Sequence, residues 1–183
     1  MTKPKRDAET RAERTAWCEW WISRGVHMAL LEFSATHNSR YSITEPFVVG
    51  GNLYATDGKC LVRQKGPIHE DILSVQSASA EFPPVLSMPW PKQLPEESAP
   101  LPPAFPGYLD LDYEDETAES CRLAIRLFGS TKYGLASHFA MRLRSLGATT
   151  IYRIDGDSNK PYYVPISESV DALVMPFLVE YEE

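Results

Sequence analysis

Cysteine is scarce in this chain, and long apolar runs are absent. The three cysteines, Cys18, Cys60 and Cys121, are odd in number and far apart. This pattern is neither a disulfide framework nor a metal knuckle, and it predicts buried or half-buried free thiols. No apolar run approaches the roughly 20 residues that a membrane-spanning helix requires, and no apolar signal segment follows the basic N-terminal residues. We therefore expect a cytoplasmic protein with no membrane partner.

Signatures of catalysis and of metal binding are also lacking. The four histidines have no mutual spacing that suits a metal, and no Cys-x-x-Cys, Ser-x-x-Lys, Gly-x-Ser-x-Gly or phosphate-loop pattern occurs. The segment Asp155-Gly-Asp157-Ser-Asn159 superficially resembles a calcium loop, but Ile166 stands where the closing glutamate should be, so we interpret it as a tight turn. The sequence predicts no metal, no cofactor and no enzyme. A nucleic-acid-processing enzyme is a third, weaker alternative, because the sequence contains no recognisable set of catalytic residues.

The composition is that of an ordinary globular protein rather than a disordered one. Hydrophobic residues make up 43% and charged residues 23% of the 183 residues, a length that suits one well-buried core. We therefore predict a single domain over residues 1–183. The net charge of −7 argues against non-specific nucleic-acid binding by the whole surface, but it leaves room for a local basic face.

The first third of the chain predicts helices followed by short strands. A helix is predicted from Asp7 to Gly25, and its three tryptophans at helical spacing are interpreted as core anchors, with a ligand platform as the alternative. A second helical stretch covers residues 27–36. Gly50-Gly51 and Asp57-Gly58 predict hairpin turns because both tolerate positive φ. The strands are predicted at 41–44, 47–49, 53–56 and 60–64.

Residues 66–119 are predicted to be a Pro-rich and acidic insert within the domain. Ten of the fifteen prolines lie between Pro67 and Pro106, and proline both fixes φ and removes a backbone donor. We therefore expect no continuous helix or sheet there, only one short strand near 108–111. The acids of 110–119 are interpreted as a solvated linker, with a divalent-ion site or a DNA mimic as the alternatives.

The remainder of the chain predicts a β-α-β-β-β pattern. A strand at 122–128 precedes a helix at 131–146, and three strands follow at 149–154, 161–164 and 171–179. The predicted fold class is α+β, with two β-α-β-β-β type halves and a long insert between them.

The helix predicted at 131–146 carries an acid-free basic face. At about 100° per residue, His138, Arg142 and Ser145 fall opposite an apolar stripe, and Arg144 flanks them. Such a local positive patch suits a phosphate backbone, while an ordinary solvated face is the alternative. The apolar stripe consists of Leu135, Phe139, Leu143 and Leu146. The residues predicted to contact DNA are Lys132, His138, Arg142 and Arg144.

Two separated stretches resemble the bacterial DNA polymerase III beta sliding clamp family. Leu53-Tyr-Ala-Thr-Asp-Gly-Lys-Cys-Leu-Val62 is similar to the family's Ala-Thr-Asp-Gly-His-Arg-Leu signature, and Arg40-Tyr-Ser-Ile-Thr44 precedes it like the clamp's Arg-Tyr strand. Lys160-Pro-Tyr-Tyr-Val164 and Asp171-Ala-Leu-Val-Met-Pro-Phe-Leu178 resemble the clamp's terminus. The match covers roughly residues 28–65 and 121–179. Lys59 and Cys60 replace the family's His and Arg, and Phe177 replaces its second Met.

The resemblance implies a DNA-clamp-like fold and a non-enzymatic function in DNA replication and processivity. The implied partners are double-stranded DNA, other copies of the chain in a homo-oligomer, and replication or repair proteins that bind through short peptide motifs. The alternative function is a phage or mobile-element interaction module that keeps the clamp fold but binds a host protein without encircling DNA. The implied peptide pocket consists of Thr56, Gly58, Lys59, Leu61, Leu173 and Met175, for which turn and core positions are the alternative.

Overall fold

The computed structural model describes six parts of the chain, residues 11–34, 43–75, 85–101, 124–129, 133–156 and 160–178. The chain divides into two compact units, which are described separately below. The first unit consists of Met1–Met88 with Ser169–Asp171, and the second consists of Pro89–Glu168 with Ala172–Glu183. The organisation as one domain stays a prediction.

The first unit begins with a helix that is anchored by tryptophan. Helix α1 is Arg11–Ile22, and all three of its tryptophans are buried. Trp21 makes edge-on ring contacts, with its centroid 4.9 Å from that of Trp20 and 6.3 Å from that of Trp17. Their burial confirms the interpretation of this cluster as core anchors. The helix ends before Gly25, whose φ of +78° suits glycine.

Three short strands follow as an antiparallel meander. They are β1 (Phe47–Val49), β2 (Asn52–Thr56) and β3 (Cys60–Gln64), paired β1 with β2 and β2 with β3. Gly50 and Gly51 form the first turn, and both have positive φ. Both predicted hairpins are therefore confirmed. The strand predicted at 41–44 is wrong in its described half, since residues 43 and 44 are not part of a strand.

The segment that follows α1 is hydrogen-bonded to a side chain of β3. Helix α2 is Met28–Glu32, which packs on β2 and β3. The His27 Nδ1 atom accepts the Ala29 N–H at 3.2 Å and so caps this short helix. Gln64 completes the arrangement, because its Oε1 atom accepts the His27 N–H at 2.8 Å and its Nε2 atom donates to the Gly25 carbonyl at 2.7 Å.

The cap predicts that acid weakens the fold. Burial lowers the pKa of His27 below its usual 6.5, and only an unprotonated Nδ1 can accept the Ala29 N–H. The unfolded chain therefore binds this proton at higher pH than the folded chain does. The stability from His27 is present above about pH 6.5 and is lost as pH falls through the lowered folded pKa. Each unit between the two pKa values corresponds to about 1.4 kcal/mol.

Urea titrations of the wild type and of His27→Asn, between pH 7.5 and pH 5, measure this effect. Asparagine caps helices well and does not titrate, so the variant should lose less stability on acidification than the wild type. Identical pH profiles for the two proteins would contradict the assignment of the His27 cap as a source of the pH dependence.

A buried carboxylate from the C-terminal part of the chain also belongs to the first unit. Strand β9 is Val170–Val174, and its first residues lie beside β3. The Asp171 side chain is only 2% exposed and accepts hydrogen bonds from Arg63 Nε at 2.9 Å and Arg63 Nη2 at 2.7 Å. Lys65 Nζ lies 2.8 Å from the same carboxylate, and the Lys65 N–H donates to the Ser169 carbonyl at 2.8 Å.

The insert was predicted to hold no continuous helix or sheet, and its described part contains one short helix and one short strand that were not predicted. Helix α3 is Glu70–Val75, and strand β4 is Ser98–Pro100. The helix forms because residues 68–82 contain no proline. The strand forms although it ends in proline, because Pro100 occupies a position whose N–H is not needed by the neighbouring strand.

The second unit contains a sheet, a small three-stranded sheet and one longer helix. Its elements are β4, β5 (Ala124–Arg126), β6 (Tyr133–Ala136), α4 (Ser137–Ser145), β7 (Thr150–Arg153), β8 (Tyr162–Pro165), the end of β9, and β10 (Phe177–Leu178). The strand orders are β9-β8-β7-β4 and β10-β6-β5. The pairs β4–β7, β7–β8, β5–β6 and β6–β10 are antiparallel. The α+β class predicted from the sequence is confirmed.

The helix predicted at 131–146 is correct only in its second part. Residues 133–136 form β6, which pairs with both β5 and β10, and α4 begins at Ser137. Pairing with two strands outweighs the weak local preference for helix. The burial of Leu135, Phe139 and Leu143 is nevertheless confirmed. Leu135 achieves it from the strand and the other two from the helix.

Several sequence predictions lie outside the described residues. They include the helix start at Asp7, the strand at 108–111, the acidic run at 110–119, and the free thiol of Cys121. Within the described ranges, no helix is both long and apolar enough to cross a bilayer.

Candidate functional site

Helix α4 carries three basic residues, and none of them is fully buried. Its buried residues are Ser137, Phe139, Ala140, Met141 and Leu143. His138, Arg142 and Arg144 are half-buried and Ser145 is exposed. None of the nine residues of the helix is acidic, so every charge that it carries at neutral pH is positive. We call His138, Arg142 and Arg144 the α4 basic face.

The C-terminal end of α4 is capped by hydrogen bonds, and it carries both arginines of the helix. The Leu146 N–H donates to the Arg142 carbonyl at 3.2 Å, and the Gly147 N–H donates to the Arg144 carbonyl at 3.0 Å. Ser145 Oγ donates to the Arg142 carbonyl at 2.8 Å. Because both arginines lie in the last turn, the negative end of the helix dipole also favours their charge. A structural contribution of these charges therefore exists beside any binding function.

Lys132 does not belong to this face. It lies outside the described residues and precedes β6, whereas α4 begins only at Ser137. The four basic residues predicted to share one helix are thus reduced to His138, Arg142 and Arg144. The placement of Lys132 on this helix was wrong because residues 133–136 form a strand, whereas its predicted DNA contact stays a prediction.

The turn that carries the clamp-like motif is explained by local hydrogen bonds. Thr56 Oγ1 donates to the Cys60 carbonyl at 2.8 Å and accepts the Gly58 N–H at 3.0 Å. Asp57 Oδ1 accepts the N–H groups of Lys59 and Cys60 at 2.9 Å and 2.8 Å. Gly58 has a φ of +91°, which glycine adopts readily. Thr, Asp and Gly are therefore the residues that this turn itself requires.

The six residues predicted to form a peptide pocket differ in exposure. Thr56, Leu61 and Leu173 are buried, whereas Gly58, Lys59 and Met175 are exposed. Thr56 to Leu61 belong to the first unit, and Leu173 and Met175 belong to the second. The pocket stays a prediction, and the exposed members are those that a partner could reach without rearrangement.

A shallow depression of about 230 Å³, including open solvent, lies in the first unit beside α3. Its charged wall is already occupied by internal partners. The Arg24 guanidinium lies 4.1 Å from the centre of the Trp20 ring and donates two hydrogen bonds to Asp71, at 2.8 Å and 3.0 Å. Gln64 is bonded to His27 and Gly25. The depression therefore offers little chemistry to a ligand.

Sequence reasoning missed the ion cluster of Asp171, Arg63 and Lys65. A signal for it was present, because Asp171 stands between Val170 and Ala172 at the start of an apolar run, and an acid in such a run is usually paired. Arg63 and Lys65 are two residues apart, which places them on one side of an extended segment. Which acid they meet could not be read from spacing, since the partners are 108 residues apart.

A second cluster, in the second unit, surrounds Arg153. Its guanidinium pairs with Glu97, with 2.6 Å between Nε and Oε2, and lies 5.4 Å from the centre of the Phe128 ring. Burial raises the pKa of Tyr162, and the nearby positive charge of Arg153 opposes that change. Among the described residues, no group of three potential ligands could hold a metal ion.

Comparisons of this chain with protein-family models, with curated proteins and with solved structures found no match. The resemblance to the sliding clamp family therefore rests on the quoted motifs alone.

Proposed function

We propose that this protein is a non-enzymatic, DNA-clamp-like protein that contacts duplex DNA through the α4 basic face. The observation that carries the proposal is the charge of α4. Its apolar side is buried, and its remaining surface holds cations and no acid, in a chain whose net charge is −7. A local cationic surface on an acidic protein directs the phosphate backbone to one place and repels it elsewhere.

The contact is proposed to be independent of DNA sequence. Arginine pairs well with phosphate oxygens, and α4 contains no asparagine or glutamine that could read a base edge. Phosphate contacts position a protein on DNA but carry no sequence information themselves. Such a contact suits a protein that moves along the duplex.

The proposal includes self-association and binding of partner proteins. A single clamp-type domain would require about six copies to reach the domain count of known rings, and such head-to-tail interfaces must close to avoid filaments. Replication or repair proteins would bind through short peptide motifs at the turn that carries Gly58 and Lys59, and at Met175. These three residues are the exposed members of the predicted pocket.

Reversal of two charges tests the DNA contact. Arg142→Glu with Arg144→Glu is expected to weaken binding to all duplexes alike, because it replaces two phosphate contacts by repulsion. The slope of log affinity against log salt should become shallower by about two, since each phosphate contact contributes about 0.9. Fluorescence anisotropy with a short labelled duplex at low salt, with the salt then raised stepwise, measures both quantities.

The matched control is Arg14→Glu with Lys92→Glu, which changes the net charge by the same amount at two exposed positions outside α4. This control should lose much less affinity and keep the wild-type slope. Equal binding by the wild type and the α4 variant would mean that the basic face is only solvated. Equal losses in both variants would assign binding to net charge rather than to α4.

A second candidate function is an interaction module that binds a host protein without encircling DNA. The observation in its favour is that the two most exposed large apolar side chains among the described residues both lie in the insert, Leu94 at 63% and Leu73 at 54%. Each of the two side chains offers apolar surface that a partner protein could cover. Absence of DNA binding by the wild type would favour this candidate over the first.

A further inference from the structure

The backbone of β4 has one side that faces β7 and one side that faces away from it. The Arg153 N–H donates to the Glu97 carbonyl at 3.0 Å, and the Leu101 N–H donates to the Thr149 carbonyl at 2.9 Å. In an antiparallel pair, the residues that exchange hydrogen bonds alternate with residues whose backbone groups point outwards. Odd-numbered residues of this strand therefore bond to β7. The backbone groups of Ser98 and Pro100 point to the other side.

Pro100 stands at one of these outward positions, and β4 is the last strand in the order β9-β8-β7-β4 among the strands that the structure describes. It has no N–H, and the bonds to β7 do not require one there. A strand added beside β4 would place a carbonyl opposite Pro100 and leave it without a donor. Glu96, the preceding outward position, is exposed and adds a negative charge to the same edge. Proline and charge are features by which natural sheets protect their edges.

A second copy of the chain is the partner that this arrangement disfavours most. Two copies of β4 would pair about a two-fold axis at Ser98, which sets Glu96 of each copy opposite Pro100 of the other. Each of these two pairs then lacks one of its two hydrogen bonds. A symmetric pair therefore lacks two hydrogen bonds, one at each copy of Pro100.

We propose that Pro100 blocks the β4 edge against antiparallel pairing with a second copy of this chain. The block is independent of the proposed DNA contact, because β4 shares no residue with α4.

Pro100→Val tests the block, because valine favours strands and restores the missing donor. Light scattering and sedimentation over a wide concentration range should show association at least about tenfold tighter than in the wild type, which corresponds to one or two recovered hydrogen bonds. Ser98→Val is the matched control. It raises strand preference at the neighbouring outward position but adds no donor, so it should keep the wild-type mass.

Circular dichroism of each variant establishes that it is folded, and Pro100→Thr repeats the test with a polar side chain if Pro100→Val precipitates. Wild-type mass for folded Pro100→Val at every concentration would overturn the proposal. Equal association of Ser98→Val and Pro100→Val would also overturn it, because strand preference rather than the backbone donor would then control pairing.

Discussion

Replacing Trp21 by alanine is expected to lower the free energy of unfolding by about 3–5 kcal/mol, the usual cost of removing a fully buried tryptophan. Trp21 is 1% exposed, and its ring lies edge-on against Trp20 and Trp17 at the centre of the α1 core. The substitution removes the transfer energy of the ring, its aromatic contacts and the atoms that fill its volume. A loss of this size is a large fraction of the stability of an ordinary domain.

Ile22→Ala is the matched control, because Ile22 is the next residue of the same helix but is 44% exposed. It should change stability by less than about 1 kcal/mol. Urea titrations followed by circular dichroism measure both variants without depending on tryptophan fluorescence. Similar losses for the two variants would show that α1 contributes through its helix propensity rather than through its tryptophan core.

Replacing Asp171 by alanine is expected to destabilise the protein by about 3 kcal/mol, at the lower end of the range for breaking a buried ion pair. The carboxylate is buried, and its loss removes two hydrogen bonds from a guanidinium that is only 15% exposed. Because the Arg63 side chain keeps some exposure, water can solvate part of its guanidinium after the substitution, which limits the loss of stability. For a chain of this length, the melting temperature should fall by roughly 6–12 °C.

Two further variants identify the source of that loss. Lys65→Ala should cost less than about 1 kcal/mol, because the Lys65 side chain is 44% exposed and solvent screens its charge. Asp171→Leu combined with Arg63→Met should be more stable than Asp171→Ala, since an apolar pair needs no counter-charge. If Asp171→Ala cost no more than Lys65→Ala, the buried pair would contribute little and this prediction would be wrong.

The hairpins of the first unit could be predicted because local chemistry determines them. Gly50 and Gly51 adopt positive φ at the first turn, and Thr56, Asp57 and Gly58 satisfy the second turn through bonds to residues at most four positions away. These bonds of the second turn all join residues that are two to four positions apart. Turns that depend on such local bonds can therefore be predicted from the sequence alone.

The start of α4 could not be predicted for the opposite reason. Leu135, Phe139 and Leu143 are spaced like one helix stripe, and nothing local separates the first of them from the others. Residues 133–136 become a strand because β5 and β10 pair with them, and β10 lies about 40 residues further along the chain. The basic face was found because Arg142 and Arg144 are in the part that is helical. Lys132 was wrongly assigned to the same helix, because α4 begins only at Ser137.

Strand β4 was not predicted because the interpretation of the prolines did not consider in which direction the backbone N–H of each position points. A proline is incompatible with a strand only where its N–H would be used, and alternation leaves every second position free of that demand. Pro100 occupies such a position, which becomes apparent only once the register with Thr150 is known.

The division of β9 has a practical consequence for dissecting this protein. Val170 and Asp171 complete the first unit, although they lie more than 80 residues after its main segment. A fragment that stops at Met88 therefore lacks the carboxylate that Arg63 and Lys65 surround, and a fragment that starts at Pro89 carries that carboxylate without its cations. Either half expressed alone lacks part of this ion cluster, so a fragment for studying the first unit should include residues 169–171, joined through a designed linker.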